Sequence, residues 1–419
     1  MLPAETEISM KKIAFIKIGN FSLINPAVTE VLRKNFPGHD IDVFDVRDWV
    51  RPRSAINLFF ALKEFGWKIA WLNWDTAAWR TSYFHNKIKA TAARCICPGQ
   101  YMFSFQTQSV FDASVPGLPH FVYTDATHGS VTRQFHAAEE ESKPVSVSKE
   151  IWTGISFHKN RRWLSKIKEL VTRLMMEQML TEPEMKSREQ AIYQQATFNF
   201  TMGTDVHDSL IFDYGCPRDR VACVFRGIPG EIVPSKTRFV SANNEKVILF
   251  VGLDWERKGG PQLMAAFRIV SARHPQAVLK IIGATPEIKT ENCHCVGLVP
   301  ANQMGEYYQQ ATVFCLPSLW ELCASALIEA AHYRLPIVTT ATGSSVDIVQ
   351  DGVNGYCVKP GDVAGLAAAL DTLLSDPGKC RRFGERGQQM AGEKFTWDHT
   401  GRIMKRRIED NLNRTRVSG

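Results

Sequence analysis

Two carboxylates eight residues apart, Glu321 and Glu329, have the spacing that most directly suggests chemistry. They lie in the segment PSLWELCASALIEAAHYRLP, where a strand-like run, TVFCLPS (312–318), ends just before Glu321 and a helix-like run, SALIEAAHY, follows. Eight residues are a little over two helical turns, so Glu329 stands on the face that Glu321 heads. The N–H groups of residues 323–326 have no intrahelical acceptor and form a ready phosphate site. A turn carboxylate, a phosphate-binding helix start and a helix carboxylate suit a sugar nucleotide, which carries hydroxyls, a diphosphate and a ribose. The same spacing also admits a purely structural reading, with Glu321 capping the helix and Glu329 facing solvent.

The elements that must position these groups form two series of βα units. KIAFIKI (12–18) reads as a buried strand, closed by Gly19-Asn20 before the helix-like PAVTEVLRKNF and a second strand, IDVFDV; HFVYT (120–124) is a third. After residue 245 the alternation restarts with VILFVG (247–252), a helix from Pro261 to His274 with proline in its first turn, AVLKIIG (277–283), the short strand HCVGLV, the helix ANQMGEYYQQA, and then TVFCLPS, PIVTT (336–340) and GYCVKP, each with a helix after it. Such alternation predicts parallel sheets covered by helices on both faces. The stretch 228–246, with two prolines, a glycine and no periodicity, reads as an interdomain linker. The expected fold is α/β, two Rossmann-like doubly wound domains facing each other across a cleft: residues 1–228, a linker at 229–245, residues 246–395, and a terminal helix within 396–419 that packs back on the first domain. In such sheets ligands bind outside the carboxyl ends of the strands.

Length agrees with that division, since 419 residues exceed what one core usually serves. With 44% hydrophobic and 22% charged residues, the composition is that of a globular chain, which excludes collagen-like, low-complexity and disordered classes. The net charge of +7 is unevenly placed: residues 246–395 carry 14 basic and 14 acidic side chains, residues 1–245 carry 30 and 26, and residues 396–419 carry 6 and 3. Any anionic partner is therefore expected on the first half or the terminal helix. The ten cysteines include no CxxC pair, and Cys95-Ile-Cys97 and Cys293-His294-Cys295 lack further ligands at a metal-site spacing. Neither a signal peptide nor a membrane-spanning run is apparent, which points to a cytoplasmic protein.

Residues 245–395 as a whole resemble the retaining GT-B glycosyltransferases of family 4. The resemblance rests on VILFVGLDWERKGGPQL, VGLVPANQMGEYYQQATVFCLPSLWE, LIEAAHYRLPIVTTATGSSVDIV and QDGVNGYCVKPGD, which match that family's motifs in order and spacing, including its E-x7-E. The resemblance implies that Glu321 holds hydroxyls of the transferred sugar and Glu329 those of the nucleotide ribose. It gives the donor diphosphate to Lys258 and to the backbone amides of Ala324, Ser325 and Ala326, and the nucleobase to Leu298 and Val299. A lysine there stabilises the negative charge that grows as the glycosidic bond breaks. Two departures stand out. Leu253 occupies the place of the family's arginine, a loss that Arg257 is expected to make good from the next turn, and Cys323-Ala324 replaces Phe-Gly ahead of the helix, which narrows the room for a donor by about a methyl group.

The first half resembles the family more weakly. Gly19 matches the family's glycine-rich first loop, expected near the donor phosphate, and Asp125 and His128 follow the third strand on the cleft side, His128 as a donor-contacting residue and Asp125 as its orienting or acceptor-binding partner. Two segments add to a plain Rossmann core: residues 159–176 combine an apolar helical stripe with a basic flank, and residues 49–80 hold five of the ten tryptophans beside Lys63, Lys68 and Arg80. Both patterns suit peripheral contact with an anionic membrane, and both also suit packing on the core. Nucleic acid fits poorly, because basic residues alternate with bulky aliphatics. The expectation is a retaining, metal-independent, cofactor-free hexosyltransferase that takes a nucleotide sugar and a glycan or lipid-linked acceptor in cell-surface polysaccharide or glycolipid synthesis. The rivals are an epimerase or phosphorylase on the same plan and a non-catalytic nucleotide-sugar or membrane-binding scaffold.

Overall fold

The computed structural model describes residues 11–20, 24–51, 54–72, 79, 81–141, 183–228 and 246–417. The 229–245 linker and the basic 159–176 segment lie outside the described residues.

The first sheet has the order β2-β1-β3-β4-β5-β6, built from β1 (Lys12–Lys17), β2 (Ile41–Asp45), β3 (Tyr101–Thr107), β4 (His120–Thr124), β5 (Phe198–Thr201) and β6 (Val221–Cys223). The second has the order β12-β11-β10-β7-β8-β9, built from β7 (Lys246–Gly252), β8 (Ala277–Gly283), β9 (Cys293–Gly297), β10 (Val313–Leu316), β11 (Ile337–Thr340) and β12 (Gly355–Val358). Strand pairs in both sheets are parallel. In each sheet the chain reverses its direction of travel beside the first strand, between β1 and β3 and between β7 and β10. A crevice forms at such a switch because the loops on either side depart in opposite directions.

The helices of the first unit are α1 (Ile24–Asn35), α2 (Val46–Trp49), α3 (Ala55–Leu72), α4 (Ser82–Cys95), α5 (His128–Glu141), α6 (Pro183–Gln195) and α7 (Thr204–Phe212). Those that follow are α8 (Gly260–Arg273), α9 (Met304–Gln310), α10 (Ser325–His332), α11 (Ser345–Ile348), α12 (Val363–Ser375), α13 (Pro377–Lys394) and α14 (Trp397–Val417). Residues of β1, β3, β4 and β5 that face α1, namely Phe15, Phe103, Phe105, Phe121 and Phe200, pack with Met404 and Ile408 of α14 in one core. The terminal helix thus returns to the first sheet, held also by Lys34 on Asp398 at 2.7 Å and by Thr400 donating to the Val224 carbonyl. A single large core fills the second unit, where the Val-, Ile- and Leu-rich strands are buried on both faces as parallel strands must be.

Asp42, the second residue of β2, pairs with Lys12 and accepts the Tyr101 hydroxyl at 2.7 Å. Of the tryptophans in 49–80, Trp49 and Trp79 pack against Phe44 and Phe84 in a core of the first unit, while Ile56 and Phe59 on α3 are exposed. No helix among the described residues is long and apolar enough to cross a membrane, and no group of three possible metal ligands occurs among them.

Candidate functional site

The loops after β7 and β10, neighbours in the second sheet, converge because their backbones cross: a Cβ on Gly259 would land on the Pro317 carbonyl oxygen, and the Leu319 amide donates to the Arg257 carbonyl at 2.8 Å. Gly259 has φ +73°, a conformation that costs glycine little. This crossing brings Lys258 against Glu321, 63 residues later in the chain. Glu321 is only 3% exposed, and its carboxylate takes Lys258, the Ser318 hydroxyl at 3.2 Å and the Leu322 amide at 3.2 Å. Burial pulls the Lys258 ammonium below its ordinary range, opposed by the Glu321 charge and reinforced by Arg257.

Across the cleft, the first sheet contributes Asp125 after β4, Arg226 after β6 and Ile24 at the start of α1. With Arg257, Lys258, Trp320, Glu321, Leu322, Cys323 and Ser325 they enclose a cavity of about 270 Å³. Burial lifts the Asp125 carboxyl to about 6, with Arg226 opposing and Glu321 adding to the rise. Gln134 of α5 crosses between the units, accepting the Glu321 amide at 2.9 Å and donating to Asp205 at 3.0 Å. A second crossing is Asp347, which takes the Thr204 amide at 2.9 Å and hydroxyl at 2.6 Å and so caps α7 from the opposite unit.

The structure thus gathers Glu321, Lys258, Arg257, Ser325 and Asp125 at one cavity. Arg257 is already committed: its guanidinium reaches Asp254 at 3.2 Å and the Trp320 carbonyl at 3.2 Å, lies 3.7 Å from Glu321, and stacks on the Trp320 ring. Glu329 stands deeper, half-buried, accepting the Tyr308 hydroxyl at 2.7 Å; burial raises its carboxyl, with the Tyr308 bond and the Arg226 charge opposing.

Other predicted residues are already hydrogen-bonded or stand away from this cavity. The amides at the start of α10 are not all free: Ala324 donates to the Ser344 hydroxyl at 3.1 Å and Ser325 to the Cys323 carbonyl at 3.0 Å, because the turn ahead of the helix folds tightly. The Gly19 amide donates to Asp45 at 3.2 Å, so this φ +57° glycine serves a turn clamped by Asp45, Lys17 and Arg47. His128 begins α5, where its amide donates to Glu189 at 2.8 Å, and it does not line the cavity beside Asp125. Leu298 is 79% exposed, and Val299 packs on the second core, both in the loop after β9 and outside the cavity lining.

Arg226, Gln134 and Asp205 escape the sequence reading. Arg226 sits in CVFRGIP, where no periodicity marks it. The available signal is a lone cation in an apolar loop just past a strand, on the edge where such sheets bind ligands.

Residues 235–390 match the model of the family described as "Glycosyl transferases group 1". An uncharacterized glycosyltransferase of Methanocaldococcus jannaschii is 24% identical over 219 residues, 48% of this chain and 56% of that protein. The chain spans about half or less of the length of the curated relatives it matches first. Among solved structures, the sucrose-phosphate synthase of Thermosynechococcus elongatus aligns over 97% of this chain and 99% of its own with a TM-score of 0.60 and 16% identity. An Anabaena protein solved with UDP and glucose aligns over 95% and 99% with a TM-score of 0.56 and 13% identity.

Proposed function

From a group 1 glycosyl transferase domain over residues 235–390, set in a chain with the GT-B fold, we propose that this protein transfers a sugar from a nucleotide sugar to a hydroxyl acceptor with retention of configuration and without a metal. The observation that carries the reading is the buried Glu321–Lys258 pair facing the cavity between the two sheets. Within the protein each charge satisfies the other. When donor enters, Lys258 turns to a diphosphate oxygen and Glu321 to sugar hydroxyls, so both exchange partners without losing compensation for burial.

In the reaction the bond between the anomeric carbon and the diphosphate oxygen breaks, and a bond to the acceptor oxygen forms on the same face. The acceptor proton passes to the departing phosphate oxygen. Lys258 stabilises the charge developing on that leaving group, with Arg257 held beside it, an effect strengthened where the cleft excludes water. Glu329, behind the helix start, is the group for ribose hydroxyls. Asp125, lifted toward neutrality by burial, accepts or donates a hydrogen bond on the acceptor side. A glycan or lipid-linked acceptor accords with the excess positive charge of the first unit and α14.

The test is release of nucleotide from a panel of UDP-, GDP- and ADP-sugars by the parent and by Glu321→Gln, which keeps the shape and loses the charge. Release falling on the order of 100-fold is expected, the scale of losing one electrostatic partner in a catalytic site. Equal release by both proteins removes the transferase reading. For the proposed membrane contact of 159–176, equal sedimentation with anionic vesicles by the parent and a charge-removed variant would sink it.

A further inference from the structure

We propose that Arg226 binds the distal phosphate of the donor diphosphate, supplying from the first unit the cation that the second lacks at Leu253. This rests on the nucleotide-sugar reading of the same cavity.

Arg226 is 4% exposed and lines the cavity opposite Lys258. A guanidinium offers five donors in a planar fork, and its burial is costly unless an anion or several acceptors meet it. Among the described residues its side chain donates to a neutral group, the Gly227 carbonyl at 3.3 Å from Nε, and the Cys323 thiol lines the cavity with it. Asp125 and Glu329 attract it only at longer range. Three cations line the cavity against two carboxylates, and Lys258 and Arg257 both engage Glu321. Arg226 is therefore the lining cation with no ion-pair partner among the described residues, and the two non-bridging oxygens of an anionic phosphate match its fork.

The backbone is strained to aim it. Phe225 holds φ +59°, a left-handed conformation that a bulky residue rarely adopts. Tyr123 clamps the Phe225 carbonyl, the Phe225 ring packs on Phe395 at 4.9 Å, and Gly227 lies so close to Trp397 that a Cβ would strike its backbone nitrogen. Strain held by three separate anchors, with a buried cation between them, marks a position kept for a ligand. Arg226 shares the cavity lining with Cys323 and Ser325, at the start of α10, where the second unit faces the cavity. Leu253 is 73% exposed and apolar, so the second unit offers no cation there.

The experiment is calorimetric titration of the full chain with UDP, GDP and ADP and with the corresponding monophosphates, using the parent, Arg226→Gln and Arg226→Lys. The diphosphate Kd is expected to rise at least tenfold in Arg226→Gln and less in Arg226→Lys, with monophosphate binding changed by less than about threefold. Melting temperature without ligand should stay equal or rise in Arg226→Gln, because an uncompensated buried charge is removed. Equal diphosphate binding by the parent and both variants overturns the inference and leaves the donor reading intact. So does an unliganded Arg226→Gln that melts far lower while Arg226→Lys binds diphosphate as the parent does. A parent that binds no nucleoside diphosphate refutes the donor reading and the inference together.

Discussion

Asp205→Asn should stabilise the protein at pH 8 and leave it almost unchanged near pH 4. Asp205 lies in the first turn of α7, at the contact between the units, with one carboxylate oxygen on Gln134 at 3.0 Å and the other buried without a partner. Burial, with the neighbouring Asp347 carboxylate adding to it, lifts its carboxyl from an ordinary 3.8 to about 7. The folded protein then holds a proton that the unfolded chain releases, so stability falls as pH rises from about 4 to about 7. About three pH units at roughly 1.4 kcal/mol each bound the loss at about 4 kcal/mol, and partial exposure reduces it to about 2 kcal/mol. Asparagine keeps an oxygen for Gln134 and can turn its amide toward Asp347, so the variant escapes that loss. The assay is the melting temperature of both proteins from pH 4.5 to 8.5, preferred to a denaturant free energy because two domains need not unfold together. The variant should gain roughly 4–8 °C at pH 8, with the difference shrinking toward zero at the acid end. A difference that is flat with pH, or a parent that melts higher at pH 8, refutes the reasoning.

Glu321→Ala leaves Lys258 buried without its carboxylate and should cost about 3 kcal/mol or more, read by thermal melting. Adding Lys258→Met should recover much of that stability and none of the nucleotide release; recovered release would show that the pair is structural. Gly259→Ala drives a methyl into the Pro317 carbonyl at a left-handed position, and a strong drop in soluble yield or in melting temperature is expected. Tyr308→Phe removes the hydrogen bond that opposes the burial-driven rise of the Glu329 carboxyl. That carboxyl should then take up its proton at higher pH, and a plot of nucleotide Kd against pH should show weakening that begins at higher pH than in the parent.

Local order along the chain is written in the sequence. The runs VILFV, AVLKII, VFCL and IVTT of the second half are strands packed into its core, and their lengths and the glycines or prolines beside them place them without reference to distant residues. The separation of Glu321 and Glu329 likewise follows from helix geometry alone. The first half is less legible: β3, the short strand β6 and the cation after it stand in segments whose burial depends on partners about a hundred residues away or more, such as Tyr123 on Phe225. Only the tertiary structure decided that Lys258 neutralises Glu321, that Gln134 and Asp347 join the two units, that the α10 amides are partly taken, and that Arg226 is a buried cation facing a cavity. The reason is physical. Helix and strand periodicity depend on neighbours a few residues away, whereas the energy of a charge depends on which groups and how much water surround it, and those are set by chain crossings that no local pattern records.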